Sequence, residues 1–262
     1  SETNQIFLLH GGKVVAELIA NYRNYAYNTA IEAYPVIAKN RPRVKALFPP
    51  DSVVPEHTDE EIEQVKELKK LKQTTNAKGY EVDLTENFVQ HVVAMNTLKQ
   101  DLVGMLQALQ LDASVTNAMT DLHRTSNTVL RVALSWMNIN ILKHLNDYIG
   151  KEKGKQLATS MDMIKEYITK QLAVFKKLCN GNILYKRVIH LLWRYILKDL
   201  EYIILFTESK LKDKHLDRLK EGVKEMAAFF NFNGEGVPKE EAEDDVITLV
   251  EDVVAVLQAP DD

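Results

Sequence analysis

Among the groups able to make or break bonds in this chain are seven histidines, one cysteine and 37 acidic residues, and their spacing decides what metal or acid–base chemistry is open to them. Helical metal sites place Glu three residues before His on facing helices, so that both ligands reach one ion. Neither Glu-x-x-His nor His-Glu-x-x-His spacing occurs, and His91, His144 and His190 read as polar residues at helix borders. Glu243, Asp244 and Asp245 are grouped as a magnesium-diphosphate site would require. They fall in the first turn of a helix, however, where acids complement the dipole. Gly234-Glu235-Gly236 has amides that could cradle an anion at a helix start. No strand precedes it and no Walker lysine follows, so it reads as a helix-helix turn. Cys179 lies in an apolar stripe beside Phe175 and reads as a small buried hydrophobe, not a nucleophile. No catalytic, cofactor-binding or metal-ligating residue is assigned, and the chain is expected not to be an enzyme.

Electrostatics offers a second kind of site. Lys176, Lys177, Lys186, Arg187, Arg194 and Lys198 make the central segments basic, whereas the segment after Gly236 carries many acids and only Lys239 as a base. Arg187, Arg194 and Lys198 return at helical steps on one face. They are the candidate partner-binding residues, a polar line suited to an acidic helix or to acidic phospholipid headgroups. The structural alternative is pairing with the acidic last helix, worth about 0.2–1 kcal/mol for each exposed pair. Trp193 is assigned to packing, with a truncation cost of about 3–5 kcal/mol.

The elements that must position these residues are helices. Leu157, Met161, Ile164, Ile168, Leu172, Phe175 and Cys179 step by three or four, which is one face of a helix. After the Asn180-Gly181-Asn182 break, apolar residues occupy most of the circumference around a polar stripe of Arg187, His190, Arg194, Lys198 and Glu201. Such a helix sits inside a bundle with a single line to water. Further helices are predicted over Gln5 to Tyr34, with Val15, Ile19, Tyr22, Ala26 and Ala30 inward, and from Thr85 and Asp112, both good N-cap types. The helix from Asp112 is expected to reach Ile149, with Gly150 as a left-handed cap. Leu216, Leu219, Val223, Met226 and Phe230 mark another helix. Ala242, Val246, Leu249, Val253 and Val256 or Leu257 mark the last, which opens at Pro238. Between residues 35 and 84, five prolines between Pro35 and Pro55 predict an irregular excursion, followed by a short charged surface helix from Asp59 to Gln73. No strand pair or hairpin signal is present, so the class is all-α.

With 262 residues, 45% hydrophobic and 27% charged, the chain can bury a substantial core. A net charge of -4 argues against a globally basic nucleic-acid binder. No apolar run approaches the 18 or more residues of a transmembrane helix. The single cysteine leaves no intramolecular disulfide and fits a reducing compartment. A first residue of Ser suggests a piece of a longer protein, and residues 1–262 read as one all-helical segment.

The segment LAVFKKLCNGNILYKRVIHLLWRYILKDLEYIIL, from Leu172 to Leu205, resembles the C-terminal part of the MUN domain of the Unc-thirteen vesicle-priming family. Leu172, Phe175, Lys177, Cys179, Leu184, Lys186, Arg187, Val188, Leu192 and Trp193 stand in the corresponding places. MNTLKQDLVGMLQAL (Met95 to Leu109) is similar to that family's Met-Asn helix, and FFNFNGEGV (Phe229 to Val237) to its aromatic-then-glycine turn. The resemblance implies an elongated stack of helical bundles, a rod related to vesicle-tethering complexes. It also implies docking and priming of secretory vesicles through syntaxin, synaptobrevin and a Sec/Munc protein, in the cytoplasm against the plasma membrane or secretory vesicles. An exocyst-like tethering subunit without direct SNARE templating is the alternative. The excursion from residue 35 to about residue 80 departs from the family's pattern.

Overall fold

The computed structural model describes residues 2–35, 38–50, 59–75, 83–107, 113–150, 154–179, 183–206 and 213–258. Helix is the regular structure throughout these residues, and the fold is all-α. Nine α-helices are seen among them: α1 (Glu2–Ala33), α2 (Arg41–Leu47), α3 (Asp59–Thr75), α4 (Glu86–Gln107), α5 (Ala113–Gly150), α6 (Gly154–Cys179), α7 (Ile183–Phe206), α8 (Asp213–Phe230) and α9 (Lys239–Gln258). The chain divides into two compact units, Ser1–Trp136 and Met137–Asp262, and the residues of α5 are shared between them.

In the first unit α1 packs on α4 and α2, and α2 packs on α3. Ile19 meets Val115 and Leu122, with Leu98, Leu102 and Met119 around them. Ala26 and Ala30 are buried as their spacing predicts, but Tyr22, expected inward, is 36% exposed. The reason is a register offset, because the inward side continues through Tyr27, Ile31 and Tyr34 instead. Tyr34 stands edge-on to Phe88 at 5.3 Å and to Trp136 at 5.1 Å. Such aromatic pairs add about 0.5–1.5 kcal/mol each beyond their area. Thr85 caps α4 as expected: its Oγ1 accepts from the Phe88 amide at 3.2 Å and donates to the Ala33 carbonyl at 3.0 Å. Asp112, the other predicted cap, lies outside the described residues.

Within the proline-rich stretch, residues 38–50 are described and largely helical. A short 3-10 turn (Ala38–Asn40) leads into α2, and Pro42 sits in the first turn of that helix, where its missing donor costs nothing. Helix α3, expected as a charged surface helix, buries one side through Val65, Leu68 and Leu71. Gln64 ties it down by donating to the Leu47 carbonyl at 2.9 Å and accepting from the Arg131 guanidinium at 2.5 Å. That guanidinium also lies 5.8 Å over the Phe48 ring.

In the second unit α6 packs on α7, α7 on α9, and α8 on α9. The predicted stripes are the buried ones: Met161, Ile164, Ile168, Leu172, Phe175 and Cys179 on α6, and Leu219, Val223, Met226 and Phe230 on α8. Ala242, Val246 and Leu249 are buried on α9, while the side chains of Leu157, Leu216, Val253, Val256 and Leu257 lie outside the described set. Helix α5 runs through Gly150, which is therefore helical and not a left-handed cap. Among the described residues no helix is long and apolar enough to cross a membrane.

Candidate partner-binding surface

Helix α7 is apolar around most of its circumference because it is packed on several sides. Leu184, Val188, Ile189, Leu192, Trp193 and Ile196 are buried. One face remains accessible. At about 100° per residue, Ile183, Lys186, Arg187, His190, Arg194, Leu197 and Lys198 fall within about 120° of one another. Ile183 at its start is 71% exposed. Arg194 is exposed and makes no ion pair among the described residues. Arg187 and Lys198 are half-buried, and each takes part in a noncovalent contact, so the three predicted bases share a face without being equally free.

What bounds this face is α9. Trp193 Nε1 donates to Asp245 Oδ2 at 2.7 Å, and His190 Nδ1 lies 3.6 Å from Glu241 Oε1. The pairs are three residues apart on α7 and four apart on α9, the step that brings side chains onto one helical face. Glu243, Asp244 and Asp245 lie past the first turn of α9, whose acids are Glu240 and Glu241, and Asp245 serves as an acceptor instead of complementing the dipole. Sequence reasoning placed Trp193 in the core, where it is 1% exposed, yet missed the acceptor that a buried indole N–H needs. The cluster of acids at the start of α9 was visible, but nothing in its spacing showed which acid turns inward.

The angle of α9 is set by the turn from Phe230 to Val237. Phe232, Asn233 and Gly234 have φ of 43°, 57° and 88°, three successive left-handed residues. Asn231 organises them, with its Oδ1 accepting from the Gly234 amide at 3.0 Å and its Nδ2 donating to the Val237 carbonyl at 3.1 Å. The Val237 amide donates back to the Phe230 carbonyl at 2.9 Å. A Cβ at Gly236 would overlap that same carbonyl oxygen, so the backbone approach requires glycine. The Phe230 ring in turn lies tilted against Trp193, with centroids 5.3 Å apart. Outside the turn, Lys176 of α6 donates to Glu235 at 2.5 Å, and that bond raises the lysine's pKa. An open groove of ≈ 710 Å³ lies between α8 and α9, lined by Lys224, Ala227, Ala228, Lys239, Val246 and Ile247 among others.

Cys179 is buried, and desolvation pushes its thiol up to about 11, leaving little thiolate near neutrality. Among the described residues no group of three or more His, Cys, Asp or Glu could hold a metal ion. No protein-family model matches the chain, and no curated protein matches it either.

Proposed function

We propose that this chain is a non-enzymatic docking module that promotes SNARE complex assembly during vesicle priming, through syntaxin, synaptobrevin and a Sec/Munc protein. It acts at the cytoplasmic side of the plasma membrane or of secretory vesicles. The observation that carries the reading is the convergence of the segments resembling the C-terminal MUN domain. The α6–α7 pair and the α8–α9 turn, distant in sequence, meet where Trp193 touches Phe230 and bonds Asp245. A surface of this kind suits the task, because assembling helices requires shape and charge and no reacting group. Arg187, Arg194 and Lys198 are the bases assigned to partner contact, with acidic phospholipids as a peripheral second contact.

The test is association of the purified chain with syntaxin, synaptobrevin and the Sec/Munc protein, followed by stopped-flow fluorescence. Exposed interface charges act mainly on the association rate and its salt dependence. Arg194→Glu, at an exposed site with no ion pair among the described residues, is expected to slow association by about 2–10-fold at low salt, with the effect shrinking as the Debye length falls toward 8 Å. The triple reversal at Arg187, Arg194 and Lys198 should slow it further. Unchanged rates with all three partners, in both variants, would remove the proposal. Binding to other tethering subunits with no effect on SNARE assembly would favour the exocyst-like reading.

A further inference from the structure

Helix α1 carries two apolar faces, and the structure covers one of them. Ile19, Ala26, Ala30 and Ile31 are buried. Val14, Leu18, Tyr22 and Tyr25 are 56%, 63%, 36% and 67% exposed. At about 100° per residue these four fall within an arc of about 80°, forming a strip about 16 Å long. Exposed apolar side chains occurring singly are ordinary, but four in one strip mark an interaction site. A helix with apolar residues on two sides is one that is packed on both.

The charge around the strip indicates what covers it. Glu17 stands about 60° outside the arc and Glu32 on its line about 10 Å past Tyr25, both exposed and in no ion pair among the described residues. The surrounding bases are engaged or off the strip: Arg23 is turned to Asp121 at 3.2 Å, and the Lys45 ammonium donates to Asn28 Oδ1 at 2.7 Å. Lys13, also exposed, lies about 100° outside the arc and one turn before Glu17. Gly11, one turn upstream of Val14, has open space where a Cβ would stand, so a neighbouring backbone can approach. We propose that this face of α1 docks an amphipathic helix of another protein, whose apolar stripe covers Val14, Leu18, Tyr22 and Tyr25 and whose flanking Lys or Arg residues meet Glu17 and Glu32.

Charge disfavours the other occupants. A second copy laid antiparallel on the strip would set residues 22 and 7 opposite Glu17 and Glu32 and bring no lysine or arginine opposite either. An anionic bilayer would be repelled by the same two groups. The glutamates are about 22 Å apart along the axis, a span of four helical turns. The proposal is independent of the vesicle-priming reading, since the strip belongs to the first unit and Arg194 to the second.

The test uses the full 262-residue chain and three labelled synthetic peptides of about 18 residues, long enough to pass both glutamates. One is a Leu/Lys amphipathic helix, one its shuffled version, and one the Leu/Glu counterpart. Fluorescence anisotropy should show saturable binding of the periodic Leu/Lys peptide alone. Leu18→Asp and, separately, Glu17→Lys with Glu32→Lys should each weaken it by about tenfold or more. Tyr25→Ser is run beside Leu18→Asp, so that a folding defect in one cannot imitate the result, and thermal melting checks each. Equal binding of the shuffled peptide, or binding untouched by the variants, overturns the proposal. So does a dimer in sedimentation, or adsorption to phosphatidylserine vesicles, that Leu18→Asp abolishes.

Discussion

Gly236→Ala is expected to be among the most destabilising single methyl additions in the second unit, and its cost can be built from the turn. The new Cβ overlaps the Phe230 carbonyl oxygen, a backbone atom that cannot rotate aside. Relief requires the Val237 amide to leave Phe230, breaking a 2.9 Å bond between two residues that are both fully buried. A buried polar group left unsatisfied costs about 1–3 kcal/mol. Overpacking adds about 1–3 kcal/mol as Phe230 shifts against Trp193. Together these predict a loss of about 2–6 kcal/mol. Gly234→Ala is the control, because it sits two residues away with a φ of 88° and open space around it. It meets only left-handed strain of about 1–2 kcal/mol, offset by about 0.4–1 kcal/mol of lost unfolded-state entropy. Urea denaturation followed by tryptophan fluorescence reads both, since Trp193 lies against the displaced ring. A Gly236→Ala midpoint equivalent to within about 0.5 kcal/mol of the parent, or a larger loss for Gly234→Ala, would show that the close approach is absent.

Asp245→Ala should cost about 1–3 kcal/mol in the same assay, because it strands the buried Trp193 N–H, and Asp245→Asn should cost less by keeping an acceptor. Trp193→Ala should lose about 3–5 kcal/mol. With its thiol pushed up to about 11 from 9.0, Cys179 should react with a thiol-specific disulfide reagent at pH 8 about a hundredfold more slowly than an exposed cysteine, and at the normal rate in denaturant. Rapid labelling of the native chain would contradict that burial. Burial, then Glu225 and Glu221, raises the phenol of Tyr148, so the folded state holds that proton more tightly than the unfolded state. Its stabilising contribution is complete below the ordinary value of 10.0 and is lost as pH rises through the raised one. An ultraviolet titration in which every tyrosine ionises together near pH 10 would refute this.

How much of this fold was legible depended on whether a residue's partner lay on its own helix. The stripes of α6 and α8 were readable because three-and-four spacing is a property of one strand of sequence, and every described position on them is buried. The middle of α5 shows the limit. Residues 128–141 are buried without interruption, although Thr128, Arg131, Ser135, Asn138 and Asn140 are polar letters that suggest a solvated side. Thr128 returns its hydroxyl to the Arg124 carbonyl at 3.0 Å, as Thr125 does to Asp121 at 2.8 Å. Asn140 finds Tyr167 of α6 at 2.5 Å. The first two bonds are local and inferable. The third joins residues 27 apart, and no spacing rule reports it.

The same distinction separates the two candidate surfaces. On α7 the basic face was legible as a stripe, since Arg187, Arg194 and Lys198 are helical neighbours. Its boundary was not, because Asp245 and Glu241 arrive from residues about 50 positions later. On α1 the error ran the other way. Tyr22 was assigned inward because a helix with one apolar face has no other place for it, and the structure leaves it at the edge of a second apolar face. A misplaced apolar residue of this kind is informative, because it fits the fold only if the helix has another neighbour. The physical content of the α1 proposal is therefore the mismatch itself: more apolar surface along residues 14–25 than the described fold covers, bordered by two carboxylates that no described base answers.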